Sequence, residues 1–273
     1  MTGRPMTAIC RTLRIGRATA YRTGGVRATR YRRREDAAVH AQLKAVLRDR
    51  GSYGYRRATV LVNRAFATGY NRKRVQRVMQ LTGLALPVRA RRRGTRPHTG
   101  RVCQTRSDQR WCSDAFEIAC WNGEVVRVMF ALDCHDREVL STVGMARALV
   151  AADVHALMRQ AVAGRCGANG PVAPIQWLTD NGSVYTALTT VLEADRLGLV
   201  PITTPAASPE SNGMAEAFVN TMRRDYVDGA ELSSAARVLE QLSTWIDDYN
   251  QVAPHSALGY QAPAAYRRMM VTP

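Results

Sequence analysis

Three acidic residues sit in short, distinctive surroundings in the last two-thirds of the chain. Asp114 ends Trp-Cys-Ser-Asp, Asp180 lies in Trp-Leu-Thr-Asp-Asn-Gly-Ser, and Glu216 closes Ser-Pro-Glu-Ser-Asn-Gly-Met-Ala-Glu. Convergent carboxylates suit magnesium, a hard cation that takes oxygen ligands in near-octahedral geometry together with water and substrate phosphate. Two such ions, roughly 3.5–4 Å apart, activate an attacking oxygen and stabilise a leaving one during in-line displacement at phosphorus. The expected cofactor is therefore a pair of Mg2+ ions, with Mn2+ as a substitute, and no protein nucleophile is needed. Spacing alone carries little, because residues 111–273 hold 18 acidic side chains and a surface aspartate is ordinarily just solvated. The surroundings decide, and they require all three carboxylates to project from rigid elements into one small volume.

After Gln109 the texture supplies such elements. Short β-like runs, Trp111–Ala119, Val125–Asp133 and Glu138–Met145, are separated by Asn122-Gly123 and by 134–137. A helix is expected at about 150–165, a strand at Ile175–Thr179, a helix near 184–197, a strand at Leu199–Thr203, and two long helices at about 210–227 and 234–250. Three antiparallel strands followed by alternating helices and strands is the order of an RNase H-like α/β domain, a mixed five-stranded sheet flanked by helices. Asp114 would then lie within the first strand, Asp180 at the carboxyl end of the fourth, and Glu216 about a turn into a helix. If the first and fourth strands are neighbours, the three converge.

Other polar residues read as structural. Asp133 ends the second strand and can cap or pair with Arg137; His135 and His155 lack metal-ligand partners at useful spacing; Trp111 and Trp177 belong beside the carboxylate strands in the core. Tyr249, Asn250, His255 and Tyr260 are expected to fix the tail against the sheet. Six cysteines contain no Cys-x-x-Cys pair and read as reduced thiols.

The front of the chain is electrostatically different. Residues 1–110 contain 28 Lys and Arg against 4 Asp and Glu, a balance of +24, whereas residues 111–273 contain 11 against 18, a balance of −7. A coding bias explains why only Lys44 and Lys73 are lysines, but it does not explain a basic front and an acidic back. A polyanion-binding front with a cation-binding back does, which makes nucleic acid the expected partner.

Four stretches follow from this reading. Residues 1–34 form a basic segment in which 6–22 follow a helix-turn-helix pattern around Gly16, or else a basic helical hairpin that docks elsewhere, followed by an arginine arm at 30–34. Residues 35–88 form a second small helical segment: Val39, Leu43, Val46 and Leu47 make one apolar face, and Gly51–Arg57 punctuates it. In its last helix Val75, Val78, Met79 and Leu81 face a small core while Arg72, Lys73, Arg74 and Arg77 face outward, toward phosphates or only toward solvent. Residues 89–108, with Arg91, Arg92 and Arg93, are a basic linker, and residues 109–273 carry the catalytic domain.

With these motifs in place, the chain resembles the DDE transposases and retroviral-type integrases, and more closely the second-frame transposases of the IS3 family of bacterial insertion sequences. Tyr53-Gly54-Tyr55-Arg56-Arg57 and Asn71–Met79 are similar to that family's second helical DNA-binding segment. Asn181-Gly182-Ser183 and Pro209–Glu216 resemble its active-site strand and loop, and His255–Pro263 its C-terminal signature. Gln109–Asp114 with Ala131–Cys134 resembles one subgroup whose two reading frames join by frameshifting.

The resemblance implies that Asp114, Asp180 and Glu216 hold the metal ions and that Arg223, seven residues after Glu216, contacts end DNA. Seven residues are close to two helical turns, which keeps Arg223 on the Glu216 face. Asn220 shares that face, as a DNA contact or as a solvated amide; Arg56 and Arg57 join the expected DNA-binding set.

The implied function is a DNA transposase. It binds terminal inverted repeats, nicks them, and joins the 3′-hydroxyl ends first to each other and then to target DNA. The competing readings are a catalytically inactive DNA-binding regulator and an RNase H-like nuclease that cuts without joining. Pairing two DNA ends implies a homodimer or a larger assembly, and the resemblance adds an upstream-frame protein fused by frameshifting. No signal-peptide pattern and no long apolar run is present, so the expected location is the cytoplasm, on the bacterial nucleoid, with no membrane partner.

Overall fold

The computed structural model describes residues 6–13, 16, 35–87, 104–204 and 212–271. Helix α1 (Met6–Thr12) is the described part of the expected helix-turn-helix. The rest of that motif, the arginine arm and Arg91, Arg92 and Arg93 of the linker lie outside the described residues.

The second helical segment consists of α2 (Asp36–Leu47), α3 (Tyr55–Ala65) and α4 (Arg72–Leu81). Apolar residues at helical spacing, Val39 and Leu43, Ala58 and Val62, then Val75, Val78 and Met79, meet in one small core. The punctuation expected across Gly51–Arg57 stops at Gly54, an extended N-cap, and Tyr55 already opens α3. Burial of Ala58, Leu61 and Val62 on one face outweighs the local turn signal. Asn71 caps α4 by accepting from the Lys73 N–H at 2.8 Å. The expectation of four outward cations on α4 needs correction: Asp36 takes Arg77 at 2.7 Å and Arg74 at 3.5 Å, leaving Arg72 and Lys73 exposed. The first turn of α2 supplies this carboxylate, a neighbour that periodicity within α4 alone does not reveal.

The second half is built on a sheet of order β3-β2-β1-β4-β5: β1 (Arg110–Ala119), β2 (Val125–Asp133), β3 (Val139–Met145), β4 (Ile175–Thr179) and β5 (Leu199–Thr203). Strands β1, β2 and β3 are antiparallel, while β4 lies parallel to both β1 and β5. Helix α5 (Ala151–Cys166) covers one face, packing Val154, Leu157, Met158 and Ala161 onto Trp111, Met129, Ala131 and Trp177. The other face carries α8 (Gly213–Asp225) and α9 (Ala235–Gln251), with Phe218, Met222, Val238 and Trp245 set on Cys112, Phe116, Val128 and Phe130. The helix expected near 184–197 is two pieces, α6 (Ser183–Thr186) and α7 (Leu188–Arg196), because Ala187 adopts extended backbone with ψ 136° between them. A final helix, α10 (Pro263–Val271), follows the tail signature; no strong apolar period announces it.

Asp133 is structural and caps the turn as expected; Arg137 bonds it through its backbone N–H, which donates to the Asp133 carbonyl at 3.0 Å, and the guanidinium near its carboxylate is that of Arg165. The Asp133 carboxylate accepts backbone N–H bonds from Asp108, His135 and Asp136 and lies 3.6 Å from the guanidinium of Arg165, itself 1% exposed. Arg165 reaches from α5 to bond Asp108, Asp136 and Glu138 as well, tying the start of β1 to the β2–β3 turn. Arg137 takes a positive φ of 62° in this turn.

The tail is fixed largely as expected. Asn250 bonds both the N–H and the C=O of Val139 on the edge strand, and the His255 ring stands edge-on to Tyr249, with centroids 4.6 Å apart. Tyr260 instead turns toward the helical segment, where the Arg72 guanidinium lies 5.4 Å from its ring centroid. Cys10, Cys112, Cys120, Cys134 and Cys166 are all free thiols.

Candidate active site

Strand alternation decides where Asp114 points. Cys112, Phe116 and Ile118 pack in the core under α8 and α9, so Asp114, in the same parity, faces that side. Strand β4 obeys the same rule: Trp177 faces α5, Leu178 faces α8, and Asp180 two residues on returns to the α8 side. The parallel register pairs Cys112 with Leu178, the residues two before Asp114 and Asp180, and the charge of Asp180 acts on Asp114. The third carboxylate comes from α8, which buries Ala215, Phe218 and Met222 against the sheet. Glu216 lies in the first turn of that helix, where the N-terminal end of the helix dipole favours a carboxylate.

Glu216, Val219, Asn220 and Arg223 form the adjoining stripe of α8, and together with Asp114–Glu117 they line a cleft of about 390 Å³. Asp180 does not line this cleft; it is exposed, its Oδ1 accepting the Gly182 N–H at 3.0 Å. An aromatic series holds α8 in place: Phe218 lies 4.3 Å from Phe130 and 5.1 Å, edge-on, from Tyr249, centroid to centroid. Behind Asp114, the Ser113 and Tyr185 hydroxyls lie 3.3 Å apart in the buried layer on the α5 side.

Asp114 feels the charge of both other carboxylates. Burial pushes the Asp114 carboxyl above the usual range, and the charges of Asp180 and Glu216 push it further; only the Ala115 N–H, at 2.8 Å, opposes them. No arginine or lysine among the described residues forms an ion pair with any of the three. Nor, among the described residues, does any group of three His, Cys, Asp or Glu side chains close up enough to cage a metal by itself. The donor set is nevertheless all oxygen, and its mutual repulsion is the kind a hard cation relieves.

The expected DNA-binding residues divide into three groups. Arg223 and Asn220 line the cleft with Glu216. Arg56, Arg72 and Lys73 are exposed on the helical segment. Arg57 is not on a free basic face: its guanidinium lies 2.7 Å from Asp225, at the end of α8, and 3.4 Å from the Tyr53 ring centroid. Sequence reasoning missed Glu117 at the cleft, where it bonds Arg127 at 2.9 Å; strict alternation assigns it to the opposite face, and no motif marks it.

Residues 33–93 match the family described as HTH-like domain, and residues 104–209 and 197–263 match families described as Integrase core domain. Transposase InsD for insertion element IS2H of Escherichia coli (strain K12) is 40% identical over 273 residues, covering 96% of this chain and 91% of the relative. The chain belongs to the IS3 family of insertion-element transposases. Transposase InsD for insertion element IS2-9 of the same strain is also 40% identical, over 96% of this chain and 89% of its own. Among solved structures, a chain of the simian T-cell lymphotropic virus intasome in complex with PP2A regulatory subunit B56 gamma matches the transposase with TM-score 0.53. That match covers 85% of this chain and 76% of the other, and its 14% identity supports the fold alone. The transposase is a polynucleotidyl transferase by family and fold, and none of its described helices is long and apolar enough to cross a membrane.

Proposed function

We propose that this transposase binds the terminal inverted repeats of its element, nicks them, and joins the exposed 3′-hydroxyl ends to DNA, with Asp114, Asp180 and Glu216 as the catalytic carboxylates. One observation carries the reading: Asp114, Glu216 and Arg223 line a single cleft, and the charge of Asp180 acts on Asp114. Two divalent ions held by these carboxylates, Mg2+ or its substitute Mn2+, would supply the charge that activates an attacking oxygen and steadies a leaving one. The chain's own residues do the rest. Arg223 presents a planar, permanent cation to a backbone phosphate at the cleft, and Asn220 offers an amide one turn away. The Ala115 N–H orients the Asp114 carboxylate, and the Phe130, Phe218 and Tyr249 rings keep α8, hence Glu216, at a fixed height over the sheet. Arg56, Arg72 and Lys73 offer exposed cations to duplex backbone; Arg91, Arg92 and Arg93 are proposed to do the same from the linker.

We further propose that at least two copies act on a pair of ends and that an upstream-frame partner is fused or coexpressed. The test is a plasmid carrying both element ends, incubated with the protein and Mg2+. Joined ends support the proposal; cuts without joints favour the nuclease, and binding alone the inactive regulator. Asp114→Asn and Glu216→Gln should each remove cutting and joining while leaving end binding in a mobility-shift assay.

A further inference from the structure

The segment Tyr53-Gly54-Tyr55-Arg56-Arg57 is built into a contact that a DNA-binding role does not explain. Asp225, the last residue of α8, has a side chain with 0% exposure, and it is held by Arg57 at 2.7 Å and by the Ser52 hydroxyl at 2.6 Å. Arg50 bonds both oxygens of Asp248 on α9 and donates to the Tyr53 hydroxyl at 3.0 Å. Tyr226, just past α8, donates to the same Asp248 at 2.9 Å. Tyr53 itself is 2% exposed, and Arg64 of α3 reaches the Val252 carbonyl at 3.3 Å.

These contacts are polar and lie beside a groove of about 900 Å³ between the two units, lined by Val46, Leu61, Arg64, Asp228, Trp245 and Val252 among others. The helical segment and the catalytic domain have separate apolar cores, so the ion pairs, and not a shared core, fix their relation. Burial works against charge on Arg50 and Asp225, yet their partners prevail: Arg50 is held above its ordinary range, and Arg224, Arg57 and Ser52 hold Asp225 below the usual carboxylate range. Arg50 and Arg57 keep only 21% and 18% of their side-chain surface exposed, and each donates to a carboxylate across the joint. A phosphate would have to displace those bonds.

We infer that Tyr53–Arg57, with Arg50 and Ser52, forms a positioning joint that clamps the HTH-like segment onto the C-terminal end of α8 in the same chain, fixing how far bound end DNA lies from the reacting phosphate. Glu216 and Asp225 are nine residues apart, about 13–14 Å of helix, so a shift at the joint is carried along a stiff element to the cleft. The inference rests on the proposed function, in which the segment holds the end and the cleft cuts it.

The experiment maps cut positions on end-labelled element DNA with full-length protein and Mg2+. Arg57→Gln, Asp225→Asn, Arg50→Asp and Asp248→Arg should keep end binding within about threefold of the parent. Cutting at the parent's phosphate should fall tenfold or more and spread over neighbouring phosphates, and R50D/D248R should restore a single position. A purely structural role would lower the rate in all folded variants without moving the cut, which overturns the inference. Tenfold weaker end binding by Arg57→Gln but not by Asp225→Asn also overturns it, by assigning Arg57 to DNA. Where Arg50→Asp fails to fold by circular dichroism, the near-isosteric Asp225→Asn carries the test. If the parent cuts nothing, the functional reading fails, and the joint is judged by a disulfide between Ser52→Cys and Asp225→Cys. Crosslinking under mild oxidation supports a closed joint; no crosslink overturns it.

Discussion

Beside the two ends of helix α8 lie carboxylates shifted in opposite directions, Asp114 of β1 upward near its start and Asp225 downward at its end. Near its start, Glu216 shares a cleft with Asp114 and helps to drive that carboxyl's proton affinity up, and no ion pair relieves the three charges. At its end, Asp225 is fully buried yet held below the usual carboxylate range by Arg224, Arg57 and Ser52. The chemistry of the side chains is nearly the same, and only the company differs. A carboxylate whose charge the fold neutralises is part of the scaffold, whereas carboxylates crowded together without a partner store a demand for an outside cation. The Arg165 cluster sets four acidic residues around one buried guanidinium, and there the balance differs again, because burial and Asp136 outweigh Arg165 at Asp133.

The largest expected effect would break this contrast outright. Asp114→Asn, Asp180→Asn and Glu216→Gln should each lower strand cutting by about a thousandfold or more, the scale on which losing a transition-state charge partner acts. Single-turnover assays at saturating Mg2+ measure it; a variant retaining a tenth of parental rate would remove that residue from the catalytic set. Arg223 should matter next. Arg223→Ala is expected to cost about 10- to 100-fold in cutting, and Arg223→Lys less, because lysine keeps charge but loses the planar fork. Equal losses for Lys and Ala would show that geometry is what counts; no loss in either would place Arg223 outside the reaction.

Much of this site is legible in the sequence, for a physical reason. The strand boundaries Val125–Asp133 and Ile175–Thr179 are the ones the apolar runs mark, because a sheet covered on both faces needs continuous apolar strands; Leu199–Thr203 is marked as well, although this edge strand buries only Leu199. The Glu216, Asn220 and Arg223 stripe follows from helical period alone. What stays hidden is pairing between distant segments. Nothing local tells that Arg57 meets Asp225, 168 residues away, or that Asp36 pairs with Arg74 and Arg77 from a neighbouring helix. A basic run reads the same whether its charges reach solvent or a carboxylate, so the sequence overcounts free cations on the helical segment.

The contrast between the ends of α8 also sets the signs of two stability changes. Asp225→Asn leaves Arg57 with a weakened partner in a buried place and should destabilise the protein by about 2–3 kcal/mol. Asp114→Asn removes a charge from a repelling group, so metal-free protein should gain up to about 1 kcal/mol. Urea unfolding of both variants in chelator measures the pair, and equal signs would show that the two carboxylates do not differ as argued. Adding Mg2+ should stabilise the parent and not Asp114→Asn, since binding to the folded state alone raises stability.

A pH dependence near the joint spreads its effect over more than two pH units. His255 is pushed down to about 4 from 6.5, first by burial and then by the charge of Arg57, with Arg137 adding to it and Tyr249 and Asp225 opposing. Between those values the unfolded chain takes up a proton that the folded chain refuses, so stability rises with pH across this window. The contribution is complete above about 6.5 and lost as pH falls toward 4, up to ~3 kcal/mol in all. Asp133 runs the other way: burial, then Asp136, raise it to about 6, so its contribution is full below 3.8 and lost as pH climbs through 6. The two partly cancel in the parent, which is why the difference from a variant is the informative quantity. His255→Gln should flatten the acid loss between pH 6.5 and 4.5 while keeping the neutral-pH stability within about 1–2 kcal/mol. Thermal unfolding across that range measures it, and a parallel pair of curves would mean that His255 does not refuse its proton beside Arg57.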